Sequence, residues 1–371
     1  MTTPLYIETP QAMDALVGQL ESCDYLAVDT EFQREHTYYP HLALVQVASE
    51  DSVACIDPLA FEAHEQLSHL LLDENIIKVF HSCSQDLEVL HYYLGQTPVN
   101  IHDTQIANAL LSEHQQISYA ALVHDMMAVE LDKSQTRTDW LRRPLTARQL
   151  AYAADDVIYL HRIYPMLIDR LEACGRTGWF EQDCSMLLFD SDDGEETDKN
   201  LWRRVKGSNR LRRNQLAVVQ AVAVWREQIA RERDRTRRRI MDDNTVIDIA
   251  LSPPRDRQQL ANQISRTPVS FTTEQLDALI EKIDMTLSAS PDSWPNNRFQ
   301  VLDGEQKQLL KELQTTLAGV AEQLGIAPGM LYSRKQLEKL IFSQEPAKLL
   351  DSDDWRYGQI GGRLLQLIEN R

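Results

Sequence analysis

The chain has 371 residues, 43% of them hydrophobic and 25% charged, and a formal net charge of −18. That length has room for two or three domains, and that composition is of a soluble globular protein, not a disordered or fibrous one. No apolar run reaches the roughly 20 residues of a membrane span, and the first basic residue, Arg34, comes too late for the positive start of a secretory signal.

Leu5–Ile7 reads as a short strand and residues 9–23 as an amphipathic helix. Residues 25–34, 42–48 and 53–56 then read as three strands with short connections, the pattern of an antiparallel meander. Residues 64–72 are expected to be helical and 76–81 to form a further buried strand, after which helical periodicity dominates, with one long helix over 147–171. Strands in a meander followed by alternating helices and one more strand predict a mixed α/β sheet domain over residues 1–190.

The acidic segment 190–200, D-S-D-D-G-E-E-T-D-K-N, has no apolar residue and reads as a linker, with the whole connection placed at 191–209. No strand is expected beyond it. Two helical blocks, 210–289 and 297–371, share an order of long helix, irregular turn, short helices and closing helix, as a duplicated module would.

Charge divides unevenly along this plan. Residues 1–190 hold 29 acidic and 10 basic side chains, whereas Arg203–Arg239 holds 13 Lys or Arg against Glu227, Glu232 and Asp234. An acidic front joined to a basic stretch suggests one part that binds cations and another that binds a polyanion. On the Val218/Val222/Trp225/Ile229 helix, Arg226 is expected on the outer face, and the basic stretch is expected to supply most long-range attraction for that polyanion. The five cysteines, Cys23, Cys55, Cys83, Cys174 and Cys184, contain no C-x-x-C pair and read as reduced thiols of a cytoplasmic protein. Cys83 follows His81 closely, but a buried small hydrophobe outweighs a nucleophile there.

The stretch L-A-V-D-T-E-F at 26–32 ends a core strand with Asp29 and Glu31 two apart, so both carboxylates leave one face. Such a pair repels itself unless a hard divalent cation neutralises it, although alone it is more often a solvated acidic patch. Partners exist further on. Asp86 falls in the first turn of a helix after Phe80-His81, and Tyr152 and Asp156 share a face of the long helix, with Asp155 rotated about 100° away. Two carboxylates on a strand and one on each of two helices suit a pair of divalent ions, which together activate water and stabilise a leaving oxygen in phosphoryl displacement.

D-x-E, Phe-His-x-x-x-x-Asp and Tyr-x-x-x-Asp together resemble the three-motif signature of DEDD exonucleases of the tyrosine subclass. The text around them, including D-W-L-R-R-P-L at 139–145 and Q-L-A-Y-A-A-D-D-V at 149–157, is similar to the bacterial ribonuclease D family, and the helical blocks resemble tandem HRDC modules. The resemblance implies a ribonuclease H-like mixed sheet followed by two all-α modules. It implies metal ligands at Asp29, Glu31, Asp86 and Asp156, two Mg²⁺ or Mn²⁺ ions, and a motif tyrosine at Tyr152; since a phenol ordinarily titrates at about 10, that tyrosine is read as orienting the attacking water instead of removing its proton. The implied reaction is 3′→5′ hydrolysis of RNA to nucleoside 5′-monophosphates, with tRNA precursors as substrates, by a cytoplasmic monomer without membrane contact.

Candidate substrate contacts are Thr30 and Phe32 beside the acidic pair, and Lys133, Arg142 and Arg143 with Arg137 and Arg148 just before Tyr152. Phe32 is read as either a stacking surface or core, and Trp140 likewise. A DNA exonuclease and a non-catalytic RNA-binding adaptor are the alternatives; the intact set of four carboxylates and a tyrosine speaks against the adaptor.

Overall fold

The computed structural model describes residues 4–192, 198–295 and 302–370. Residues 193–197 of the expected acidic linker lie outside the described residues, as do 297–301 at the start of the second helical block. Described residues fall into two compact units: Met1–Gln33, Leu42–Ser191 and Gln300–Arg371 form one, and Arg34–His41 with Asp192–Phe299 the other.

In the first unit, β1 (Leu5–Ile7), β2 (Tyr25–Gln33), β3 (His41–Ala48), β4 (Val53–Ile56), β5 (Ile77–Phe80) and β6 (Ile101–Asp103) form one sheet in the order β1-β4-β3-β2-β5-β6. β3 and β4 pair antiparallel, while β1 with β4, β2 with β5 and β5 with β6 pair parallel. The strand β6, Ile-His-Asp, is absent from the sequence reading, because it lies between helical stretches and reads with them as helical.

The alternation along β2 sorts its side chains into two layers. Leu26 and Val28 pack with α1 (Pro10–Leu20), α2 (His64–Leu71) and α3 (Ser84–Leu94), whereas Ala27 faces Val157, Leu160 and Tyr164 of a long helix on the other side. α4 (Thr104–Ala109) and α5 (Tyr119–Met127) precede that helix, α6 (Ala147–Ala173), and α7 (Thr177–Asp192) follows it. A capping box of Thr146 and Gln149 starts α6. Pro165 inside it cannot donate to His161, and the freed His161 carbonyl accepts the Tyr25 hydroxyl at 3.3 Å.

α13 (Gly304–Leu324), α14 (Pro328–Leu331), α15 (Arg334–Phe342) and α16 (Gly362–Glu369) also belong to this unit. Leu310, Leu313, Leu317 and Leu364 share one core with Leu110, Ile163, Leu167 and Phe180. Trp179 and Trp355 stack 4.3 Å apart, and Arg356 reaches Asp183 through two hydrogen bonds of 2.7 and 2.8 Å.

The second unit holds α8 (Arg213–Glu232), α9 (Arg237–Ile240), α10 (Asp243–Leu251), α11 (Arg257–Gln263) and α12 (Thr273–Ser288), with no strand among its described residues. Its first three helices echo the later block: long helices of 20 and 21 residues, then helices of 4 and 4, then of 9 and 9. Residues Arg34–His41 are part of this unit. The guanidinium groups of Arg231 and Arg237 stand 5.9 and 5.3 Å from the Tyr38 ring, whose hydroxyl donates to Glu227, and Asp234 accepts the Tyr38 and Tyr39 amides at 2.9 Å each.

The basic stretch is less available than its sequence implies. Arg226, expected on the outer face of α8, is 4% exposed and bonds Asp243 at 2.8 Å, since the module packs against both sides of its long helix. Arg231 and Arg237 are committed to Glu227, and Arg233 to the Ser270 carbonyl and Gln275.

Candidate active site

Past Val28 the two faces of β2 diverge in chemistry. Asp29 and Glu31 continue the face that Ala27 turns toward α6, and there Asp156 meets them: each of the three offers a carboxylate oxygen within 4.8 Å of the others. Tyr152, one turn earlier on α6, lines the same cavity as Asp156. Asp155 stands outside this group, as its rotation on the helix requires.

Thr30 continues the opposite, buried face and donates its hydroxyl to Asp86 at 2.5 Å. Asp86 is delivered by the turn between β5 and α3, in which Ser82 has a φ of 61°. Asp103 holds that turn by accepting the Ser82 and Cys83 amides at 3.0 and 2.9 Å while also capping α4. The structure thus brings Asp29, Glu31 and Asp156 into one cluster and fixes Asp86 beside it through Thr30.

Burial, then the charges of Asp86, Asp156 and Glu31, hold the Asp29 carboxyl well above the usual carboxylate range. Burial, then the charges of Asp156 and Asp86, push Glu31 up to about 9, and burial lifts Asp156 to about 7 and Asp86 to about 6. Three clustered carboxylates, with Asp86 fixed near them through Thr30, are a hard-oxygen donor set of the kind that divalent cations of the Mg²⁺ type take, so the residues fit such an ion.

A cavity of about 320 Å³ opens beside the cluster, lined by Asp29, Asp156, Tyr152, His81, Tyr119 and Lys133 among others. His81 is fastened at both ring nitrogens, to the Thr104 hydroxyl and the Ile117 carbonyl at 3.0 Å each. Burial, then the charge of Asp156, raises the Tyr152 phenol far above its ordinary value. Cys83 is fully buried, with its thiol pushed up by burial, as expected of a core residue.

Several expected substrate contacts stand elsewhere. Thr30 is buried and spends its hydroxyl on Asp86, so its side chain positions a carboxylate. Trp140, 4% exposed, packs with Ala43, Leu44, Cys55 and Ala153 and supports the Tyr152 ring at 6.1 Å, which makes it core and not a stacking surface. Arg143 is a clamp: it bonds Asp57 at 2.6 and 2.8 Å and the Ala43 and Trp140 carbonyls at 2.7 and 2.6 Å. Phe32 is partly buried against the core. Arg142 is exposed, and Lys133 is the one Lys or Arg among the described residues lining the cavity. Sequence reasoning missed Thr136, which also lines the cavity, because only the path of the chain brings a threonine 16 positions before Tyr152 to the same opening.

Comparison with known proteins agrees with this geometry. Residues 4–172 match a family model described as 3′-5′ exonuclease, and residues 215–270 match the HRDC domain. Ribonuclease D of Pseudomonas paraeruginosa is 37% identical over 350 residues, covering 93% of this chain and 92% of the relative. Ribonuclease D of Desulfotalea psychrophila is 32% identical, covering 94% of each chain. The crystal structure of Escherichia coli RNase D, described as an exoribonuclease involved in structured RNA processing, superposes with a TM-score of 0.84 at 28% identity, covering 100% of this chain and 99% of that one. With a carboxylate cluster on a mixed sheet, an HRDC domain later in the chain and end-to-end likeness to these enzymes, the chain belongs to the ribonuclease D family of 3′-5′ exonucleases.

Proposed function

We propose that this protein is a 3′→5′ exoribonuclease that trims the 3′ ends of structured RNA, with tRNA precursors as its substrates, in the cytoplasm and as a monomer. The observation that carries the reading is the convergence of Asp29, Glu31 and Asp156 on one point, with Tyr152 at the edge of the adjoining cavity. Asp29, Glu31, Asp86 and Asp156 would hold two Mg²⁺ or Mn²⁺ ions. Bound there, the ions supply the positive charge that activates water and stabilises the leaving oxygen.

The chain's own residues do the rest. Water adds to the terminal phosphorus as the bond from phosphorus to the preceding ribose O3′ breaks, which releases a nucleoside 5′-monophosphate and leaves a 3′-hydroxyl on the shortened RNA. Tyr152, with its phenol held protonated, orients the attacking water by hydrogen bonding and does not take its proton. Lys133 brings the one Lys or Arg charge among the described residues lining the cavity to the terminal phosphates, and exposed Arg142 is the further basic side chain proposed to meet the RNA.

The first helical block, 210–289, would attract the RNA backbone through the basic side chains that remain exposed, including Arg210, Arg235 and Arg238. The second, 297–371, reads as a divergent HRDC-like module on the strength of the repeated helix lengths, serving the nuclease core instead of the substrate. Incubating a 3′-labelled RNA and its DNA counterpart with Mg²⁺, and again with chelator, tests the proposal. Mononucleotide release from RNA that chelator abolishes is expected; equal release from DNA would make this a DNA exonuclease, and none from either would make it an adaptor.

A further inference from the structure

We propose that Asp103 is a positioning residue for Asp86: it holds the backbone turn that delivers that carboxylate, so metal binding depends on an acid that is itself no ligand. This rests on the metal-dependent reading of the site, but not on RNA being its substrate.

The turn from β5 into α3 draws its support from elsewhere in the chain. Ser82 holds a left-handed φ of 61°, a conformation that a residue with a Cβ disfavours. Cys83, the N-cap of α3, makes no side-chain cap bond among the described residues, although the first amides of a helix need acceptors. The Cys83 carbonyl accepts the Leu87 amide at 2.8 Å and so begins the helix. Asp86 sits in that first turn, so whatever fixes Ser82 and Cys83 fixes the backbone from which Asp86 leaves.

The support comes from Asp103 and Thr104, where β6 gives way to α4. β6 runs parallel to β5 with Asp103 level with Phe80, the last residue of β5. One Asp103 oxygen accepts the Ser82 amide at 3.0 Å and the Gln105 amide at 2.7 Å, and the other accepts the Cys83 amide at 2.9 Å. The Thr104 hydroxyl donates to the Phe80 carbonyl at 3.0 Å. Asp103 is 3% exposed and both its oxygens are taken by amides, which leaves it a brace and not a ligand. It caps α4 and stands in for the missing side-chain cap of α3. The labour is divided: Asp103 sets the backbone of Asp86, and Thr30, donating to it at 2.5 Å, sets where its carboxylate points.

Asp103→Asn keeps the shape but turns an N–H₂ group toward one of the amides it must hold. In chelator, amide exchange at Ser82 and Cys83 should quicken roughly tenfold or more, the worth of one hydrogen bond to a charged group. Calorimetric Mn²⁺ affinity should fall roughly ten- to hundredfold, the scale for an outer partner of a ligand. Ser82 is exposed, so its substitutions disturb no core. Ser82→Gly in the D103N background should recover roughly fivefold in affinity, the least that a left-handed backbone costs a residue with a Cβ. Ser82→Val, with Asp103 intact, should weaken Mn²⁺ binding roughly fivefold or more, and it decides the matter if D103N does not fold. A D103N protein that melts lower in chelator but keeps wild-type Mn²⁺ affinity would make Asp103 merely structural and overturn the proposal. So would D103N unimproved by S82G, or wild-type affinity in S82V. A wild-type protein that binds Mn²⁺ yet leaves RNA intact overturns the exoribonuclease reading instead, and the affinity comparison still decides whether Asp103 holds Asp86.

Discussion

Thr30 leaves β2 on the face opposite Asp29 and Glu31, and its hydroxyl donates to Asp86 at 2.5 Å. One strand thus serves the site from both faces, two carboxylates directly and a third through a hydroxyl. Replacing Thr30 with Val keeps the volume and removes the donor, which lets the Asp86 carboxyl rise further and swing. The expected result is a roughly ten- to hundredfold loss of Mn²⁺ affinity, the scale for an outer partner of a ligand, at unchanged melting temperature. Calorimetric titration checks it; wild-type affinity would mean that Asp86 holds its place unaided.

Asp29→Ala, Glu31→Ala and Asp156→Ala should each nearly abolish hydrolysis while leaving the metal-free protein as stable as wild type or more so, because each relieves repulsion within the cluster. Melting curves in chelator, run beside the activity assay, test both halves. Wild-type turnover in D29A would sink the assignment.

Tyr152→Phe keeps the ring that Trp140 supports and loses the hydroxyl. Turnover should fall about 10²-fold or more, the scale of one positioned catalytic group, with Mn²⁺ binding retained. Collapse of metal affinity with normal turnover per bound ion would exclude the orienting role.

The cluster also predicts a pH dependence. Glu31 has its folded-state value raised to about 9 against an ordinary 4.5, so its folded form favours the proton. Below pH 4.5 that preference costs nothing; as pH rises from 4.5 to 9 the unfolded chain releases the proton first and metal-free stability falls. Glu31→Gln cannot titrate. In chelator, denaturant unfolding at about pH 5, 7 and 9 should show E31Q gaining on wild type at each step, and a constant gap would refute the sign. Metal binding should likewise release protons at about pH 7.

Residues 302–370 complete the core of the nuclease unit instead of trailing behind it. Cutting the chain near residue 190 should leave Leu110, Phe180 and their neighbours uncovered and yield insoluble or protease-sensitive protein, and Trp355→Ala should cost about 3–5 kcal/mol of stability, as large aromatic deletions do. The role of the basic module is better tested in the whole chain. Arg235→Gln with Arg238→Gln should flatten the salt dependence of RNA binding by about 0.7 for each phosphate no longer neutralised, measured with Ca²⁺ in place of Mg²⁺.

Local spacing along the chain was enough to reveal the chemistry. A spacing of two on a strand put Asp29 and Glu31 on one face, a spacing of four on a helix joined Tyr152 to Asp156, and the resemblance in the surrounding motifs pointed to the family. These are short-range periodicities, which backbone geometry imposes before any packing occurs. What each remaining polar side chain is for depended on packing. Arg142 and Arg143 are neighbours of one type, yet one is exposed and the other clamps Asp57 and two carbonyls. Arg226 looks like surface charge on a helical wheel and is buried against Asp243. The role of Thr30 as a support for Asp86 carries no signal in the sequence, because the worth of a hydroxyl lies in its partner, and Asp86 is 56 residues away. The grouping of residues 302–370 with the nuclease sheet was hidden for the same reason: an amphipathic stripe demands a partner but does not say which.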